Sequence, residues 1–238
     1  NGTAQMEHDA AYYHAGKSEG CAFFTAFPFG FTMGEMAAWI KHGNGQKLWD
    51  ELYAPFGIRG FQAGSTGTQM FGWFRREIRS LADLDGLKFR TPGNQGRVLQ
   101  KLGVTPVSLP GGEIFPALQS GAIDGAEWVG PYNDLALGFY QVCRYYYSPG
   151  YHEPGPNLQL TINEQAWRSL TPELQAIVRT AAGAATRDMY AEYTAQSGPA
   201  LRTLVQKHGV IVRSLPEDVL IAWVEKSKDG RTYMGIQR

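Results

Sequence analysis

The chain is poor in net charge, in cysteine and in long apolar runs, and each shortage closes off a class of function. Lysine plus arginine and aspartate plus glutamate both number 22, so the net charge is zero and the basic footprint of a nucleic-acid binder is missing. No basic cluster is longer than Arg75-Arg76, which argues against an electrostatic membrane anchor. No stretch reaches the roughly 18 consecutive apolar residues of a transmembrane helix. No charged-then-apolar leader opens the sequence at Asn1. Cys21 and Cys143 are the two cysteines. They could pair in an oxidising compartment, but nothing around them resembles a disulfide scaffold, so two buried thiols are the better reading.

Catalytic constellations are also scarce. The segment AGSTG, Ala63 to Gly67, lacks the glycine two places before the serine that a nucleophile elbow needs. GNGQKLW, from Gly43, lacks a third glycine, and no phosphate loop with a Lys-Ser/Thr end is present. His8 and His14 are not at i, i+4 spacing, and His152 stands beside Glu153 without a second close histidine, so a zinc helix is not expected. Turnover chemistry is therefore the runner-up reading.

What is present is a globular composition, with 43% apolar residues over 238 positions. Short β-type runs alternate with amphipathic helices. TAQMEHD, IRGFQAG, TQMFGWFRRE, LKFRTPG, VTPVSLP, AEWVG, CRYYYSPG and LQLTIN read as strands. GEMAAWIKHG and NGQKLWDELYAPFG read as helices closed by glycine. Ser80 is placed to cap a one-turn helix. From Thr171, with Pro172 at the first helical position, helical spacing persists to about His208. That length predicts a helix spanning more than one domain, with a bend near Gly198-Pro199. The alternation implies α/β architecture with mostly parallel sheets.

The stretch GAIDGAEWVG, Gly121 to Gly130, sets an acid, Glu127, beside the bulky Trp128 at the end of a short strand. Ligands gather at the carboxyl ends of strands in open α/β sheets. A lone Glu is ordinarily a solvent-facing acid, but a second one, Glu153 in GYHEPG, again follows an aromatic strand. Two such carboxylates would repel unless a cation or a base lay between them. Arg90, in KFRTPG, offers a planar fork that fits a carboxylate; by spacing alone a surface role is as good. Gln69, in GSTGTQMFG, could lend its side-chain carbonyl to a metal, although spacing alone favours an exposed loop amide.

Together LKFRTPG, PGGEIFPALQSGAIDGAEWVGPYNDLALGFY and YYYSPGYHEPG resemble the solute receptors of tripartite ATP-independent periplasmic (TRAP) transporters, in the branch that binds α-keto acids and lactate. The resemblance is strong from Gly2 to about Glu164 and looser beyond. It implies two α/β lobes, a cleft that closes on an anionic solute, and a long helix bracing both lobes. Arg90 matches the family arginine that clamps the solute carboxylate. Gln69, Glu127, Glu153 and the backbone of Trp128 match the positions that hold a metal ion, sodium or calcium, with the Trp128 ring walling the site or simply packing in the core. One hydroxyl of Tyr12-Tyr13 is expected to reach the solute, Tyr13 being the candidate named. Phe29 and Phe31 could face the cleft, but such aromatics are more often core. Two glutamates and a monocarboxylate against one guanidinium leave an excess of negative charge that the cation offsets. A hard ion chelated by the solute's carboxylate and its neighbouring oxygen accounts for a preference for 2-oxo or 2-hydroxy acids.

The resemblance also implies parts that have no counterpart here. The family's first strand and helix precede Asn1 and its last helices follow Lys228, so a fragment with an exposed sheet edge is expected. The lobes are expected at 1–60 with 127–150 and at 61–126 with 151–215, with 216–238 a C-terminal helical segment. The reading is of a periplasmic receptor that captures a small 2-oxo or 2-hydroxy monocarboxylate with a metal ion. It would deliver the solute to the membrane-embedded TRAP permease, bind no nucleic acid, and leave a homodimer open. A chemosensory receptor with the same ligand, or an enzyme on a two-lobed α/β fold, are the alternatives.

Overall fold

The computed structural model describes residues 3–228. The chain begins with β1 (Met6–Asp9), α1 (Met33–His42), α2 (Gly45–Tyr53) and β2 (Ile58–Ser65). Next come β3 (Gly72–Phe74), β4 (Lys88–Arg90), α3 (Gly93–Gln100), β5 (Thr105–Val107), α4 (Gly111–Ser120), β6 (Gly125–Ala126), α5 (Pro131–Leu137) and β7 (Tyr145–Ser148). It ends with β8 (Asn157–Asn163), α6 (Glu164–Ser169), α7 (Pro172–His208), β9 (Ile211–Ser214) and α8 (Glu217–Ser227). Local chemistry explains several boundaries. Thr32 and Glu35 form a reciprocal capping box at the start of α1. Ser80 does the same with Asp83 for the turn Leu81–Leu84, as the sequence predicts. The long helix runs unbroken from Pro172 to His208 with Pro199 inside it; Pro199 lacks the N–H that would bond the preceding turn.

These elements form two compact α/β units, one of residues 3–26, 31–67 and 154–194, the other of residues 27–30, 68–153 and 195–228. The division differs from the expected one, which put 127–150 with the N-terminal segment. The reason is hydrogen bonding: β7 pairs with β3 and β9, and the Glu127 amide donates to the Arg90 carbonyl, so this stretch belongs with the second unit. The later half of the expected second lobe, from Pro154 to Thr194, joins the first unit because β8 pairs with both β1 and β2. The residues expected as a C-terminal segment contain α8 within the second unit; positions 229–238 lie outside the described residues.

The first unit holds a three-stranded sheet, β1-β8-β2, antiparallel throughout. The expectation of mostly parallel sheets fails here, because β8 enters from a distant part of the chain and runs against both neighbours. Its core gathers Trp49, Tyr53, Met36, Ile40 and Phe24, with Phe24 stacked on Trp49 at 4.9 Å and Phe31 packed against the group.

The second unit holds a six-stranded sheet in the order β5-β4-β6-β3-β7-β9. It is parallel at β5-β4-β6 and β7-β9 and antiparallel where β3 meets β6 and β7. Successive side chains of a strand point to opposite faces. Trp73 and Tyr146, a cross-strand pair with rings 3.9 Å apart, therefore join one core. Phe74 and Tyr147 join the other, with Trp223, Phe71 and Phe89. Phe29 packs against this second core.

Candidate metal centre

The candidate residues other than Tyr13 lie in the second unit, on the loops that leave its strands. Arg90 is the last residue of β4, and Glu127 follows β6 directly. Because β4 and β6 are parallel neighbours, Arg90 aligned with Ala126, the two side chains emerge from the same end of the sheet. The Glu127 amide donates to the Arg90 carbonyl at 3.0 Å. In return Arg90 Nη1 donates both to the Glu127 carbonyl at 2.9 Å and to Glu127 Oε1 at 3.0 Å, and Arg90 Nε donates to the Leu109 carbonyl at 3.0 Å. Nη2 takes part in none of these bonds. The guanidinium carbon lies 5.1 Å from the centre of the Trp128 ring, close enough for a cation–π attraction.

Gln69 and Glu153 meet from the other side. Gln69 forms an isolated antiparallel bridge with Gly150. A side chain at Gly150 would run into the Gln69 carbonyl, so glycine is what lets the two loops approach. The Gln69 amide donates to the Glu153 carbonyl at 3.2 Å, and its Nε2 donates to Glu153 Oε2 at 2.7 Å. On the Trp128 side, Gly111 performs a similar service: a Cβ there would come within 2.5 Å of the Trp128 ring.

The plain sequence readings of these side chains are corrected by burial. Arg90 is 1% exposed, Glu127 0%, Glu153 4% and Gln69 6%, so none is a surface arginine, solvent-facing acid or exposed loop amide. Trp128 is half-buried and packs against the core around Trp73, which agrees with a packing role and leaves room for a second. Tyr13 belongs to the first unit, where it is 50% exposed and meets the buried Tyr12 edge-on at 4.8 Å.

His152 was not among the expected site residues. It is 1% exposed, with Phe71 edge-on at 6.2 Å and Trp223 tilted at 6.3 Å. Its Nε2 lies 3.6 Å from Glu127 Oε2. Ligand atoms of Glu127, His152 and Glu153 all fall within 4.8 Å of one another. The signal that could have found it was its place next to Glu153 in the HEPG run; the lack of a second histidine argued it away.

The bonding of this cluster is lopsided. Among the described residues, Gln69 Oε1, Glu127 Oε2 and both ring nitrogens of His152 are buried with no hydrogen-bond partner. Such atoms are costly to leave unpaired. The Arg90 guanidinium pairs with Glu127, and the Glu153 carboxylate lies in the same cluster. Unpaired acceptor oxygens beside two buried carboxylates fit a hard cation, which takes carboxylate and amide oxygens as ligands. The fit therefore rests on donor chemistry and burial.

Asp134, on the first turn of α5, was also unforeseen. It is fully buried, and its carboxylate accepts from Trp73 Nε1 at 2.8 Å, the Tyr146 hydroxyl at 2.7 Å and the Val129 amide at 3.2 Å. Burial pushes its carboxyl up to about 7; the three donors pull it down and the charge of Glu127 adds to the rise. Burial also pushes the Cys143 thiol up to about 12. Both cysteines are free and buried, as the composition suggested.

The pattern of the DctP family, the bacterial extracellular solute-binding proteins of family 7, matches residues 1–234. The chain belongs to this family. A relative from Nostoc sp., a monocarboxylate 2-oxoacid-binding periplasmic protein, is 47% identical over 204 residues; the match covers 86% of this chain and 56% of the relative. A TRAP transporter solute binding protein from Bordetella bronchiseptica, a mixed occupancy dimer with calcium and picolinate in a bound active site, superposes with a TM-score of 0.95. It is 40% identical, covering 98% of this chain and 69% of that one. A TRAP periplasmic solute binding protein from Pseudoalteromonas atlantica, with bound sodium and pyruvate, gives 0.93 at 41% identity, covering 98% of this chain and 71% of that one. The chain spans about half the length of the curated relatives it matches.

Proposed function

We propose that this DctP-family chain is a periplasmic receptor that binds a small 2-oxo or 2-hydroxy monocarboxylate, of the pyruvate or lactate type, together with sodium or calcium, and delivers it to a TRAP permease in the membrane. The observation that carries the reading is the buried cluster of Glu127, Glu153 and Gln69, in which, among the described residues, Gln69 Oε1 and Glu127 Oε2 have no hydrogen-bond donor. Glu127, Glu153, Gln69 Oε1 and the Trp128 carbonyl are the groups that would hold the cation. Once held, it offers a solute two sites at once, for the carboxylate and for the oxygen on the neighbouring carbon.

Arg90 takes the other role. Its Nε and Nη1 are committed to the protein, while Nη2 is outside those bonds and available to the solute carboxylate. Trp128 walls the site beside the guanidinium. The relatives that bind a 2-oxoacid, or hold pyruvate with sodium and picolinate with calcium, support this choice of ligand. Pyruvate and picolinate share a carboxylate with a donor atom on the adjacent carbon or ring position. The arrangement serves capture and release, with no group assigned to bond breaking.

A thermal-shift series against organic acids tests the reading, because a ligand that binds only the folded state raises its apparent stability. Pyruvate and lactate are expected to raise the Tm in the presence of calcium or sodium and to lose that effect with a chelator and potassium in their place. A Tm indifferent to every 2-oxo and 2-hydroxy acid would contradict it.

A further inference from the structure

We propose that Asp134 is a positioning residue for the solute site: through the Val129 amide it holds the short loop that carries Glu127 and the Trp128 carbonyl. The proposal deepens the reading above and rests on it for the role of that loop.

The loop from Glu127 to Gly130 leaves β6 and ends where α5 begins, and two bonds tie it to Asp134. The Val129 amide donates to Asp134 Oδ1 at 3.2 Å, and the Asp134 amide donates to the Gly130 carbonyl at 2.9 Å. Asp134 Oδ2 is anchored in turn to the sheet, to Trp73 of β3 and Tyr146 of β7. Those two rings are stacked on each other at 3.9 Å and are wholly buried, so the anchor is rigid. The far side of the loop is tied by the Met70 amide, which donates to the Val129 carbonyl at 3.1 Å. Asp134 therefore fixes the site-bearing loop through the Val129 amide and the Gly130 carbonyl.

The donors explain why the residue has to be a carboxylate. The Trp73 indole N–H and the Val129 amide can only donate, and they address different oxygens. An asparagine has one accepting atom, so whichever way it turns, its NH2 faces an N–H. One bond is lost and one buried donor is left unpaired without water to replace the acceptor. The Tyr146 hydroxyl can rotate to donate or accept and does not impose this constraint.

The test compares Asp134→Asn with Tyr146→Phe in the full chain. Tyr146→Phe removes one anchor bond but leaves Val129 its acceptor. Thermal unfolding, calorimetric titration of pyruvate at saturating calcium, and amide hydrogen exchange of residues 127–130 are measured on each. Asp134→Asn is expected to weaken pyruvate at least tenfold and to speed exchange in the loop at least tenfold. Tyr146→Phe is expected to lower the Tm and leave both unchanged. In the double variant Trp73→Phe with Asp134→Asn, the amide NH2 no longer faces the indole, the carbonyl oxygen can serve Val129, and slow loop exchange is expected to return despite a lower Tm. The proposal is overturned if Asp134→Asn loses only stability, or if Tyr146→Phe loosens the loop as much. It is also overturned if the double variant exchanges as fast as Asp134→Asn. A wild-type chain that binds no pyruvate refutes the functional reading instead, and loop exchange, which needs no ligand, still decides for or against Asp134. Should Asp134→Asn not fold, the double variant and Tyr146→Phe provide the comparison with wild type.

Discussion

Arg90 Nη1 serves Glu127 twice, donating to its backbone carbonyl at 2.9 Å and to its side-chain Oε1 at 3.0 Å, with both residues almost fully buried. One nitrogen thus fixes the backbone and the carboxylate of the same residue. Arg90→Lys places a point charge on a flexible stem where a planar fork stood, and Arg90→Met leaves Glu127 as an uncompensated buried charge. The methionine variant is expected to lose about 3–5 kcal/mol of stability, measured by urea unfolding. The lysine variant should keep more of the fold yet lose solute affinity by roughly two orders of magnitude, on the scale of a truncated buried charge pair. Wild-type pyruvate affinity in Arg90→Lys would refute the clamp.

Gln69 and Glu153 should matter for the cation more than for the solute carboxylate. Gln69→Ala removes both an oxygen with no hydrogen-bond partner among the described residues and the amide that orients Glu153. Groups that orient a ligand typically account for roughly 10–100-fold in metal affinity. Calcium titration of the solute-free chain is expected to weaken by that amount in Gln69→Ala and further in Glu153→Gln. An unchanged calcium affinity in both would place the ion elsewhere.

Much of this site was legible in the chain, and the part that was not has physical reasons. Arg90, Gln69, Glu127 and Glu153 were singled out through the family resemblance of the runs that hold them; residue type and spacing alone left Arg90 undecided and favoured an exposed amide for Gln69. His152 has the Glu127 carboxylate as its neighbour only because β6 and β7 both pair with β3; a spacing of 25 residues carries no such signal. Asp134 reads in sequence as an ordinary acid in the first turn of a helix, where it suits the dipole, and its three donors come from β3, β7 and the preceding loop. The strands themselves were visible as alternating apolar runs, but their partners were not. That is why the expected boundary at 127 broke β7 away from the sheet it belongs to.

Asp134 also makes a pH prediction. Its carboxyl ionises near 3.8 in the unfolded chain and at about 7 in the folded one. Between these values the folded state binds the extra proton, so stability falls as pH rises through this window. Its burial costs nothing below the unfolded value and is fully felt above about pH 7, on the order of 4 kcal/mol for the shift. The unfolding free energy of wild type minus that of Asp134→Asn should therefore shrink as pH is raised from 4 to 7.5. A difference that does not change with pH would contradict the buried, ionisable state assigned to this residue.

Trp223 ties α8 to the second unit. It is fully buried, donates its indole N–H to Gln95 Oε1 at 3.1 Å and packs on Phe29 and Phe71 at 5.0 Å each. Trp223→Ala is expected to cost about 3–5 kcal/mol, read from denaturant midpoints at unchanged slope. A loss below about 1 kcal/mol would mean that α8 docks without this anchor.

In the proposed site, a cation bound by Glu127, Glu153 and Gln69 reads the second oxygen of the solute. Isothermal titration of pyruvate and of propionate, each in sodium-free potassium buffer with calcium or with excess chelator, decides it. Pyruvate is predicted to bind at least tenfold more tightly than propionate with calcium present, and to lose that advantage in chelator. Equal affinities for the two acids, or pyruvate binding that chelator leaves intact, would contradict it.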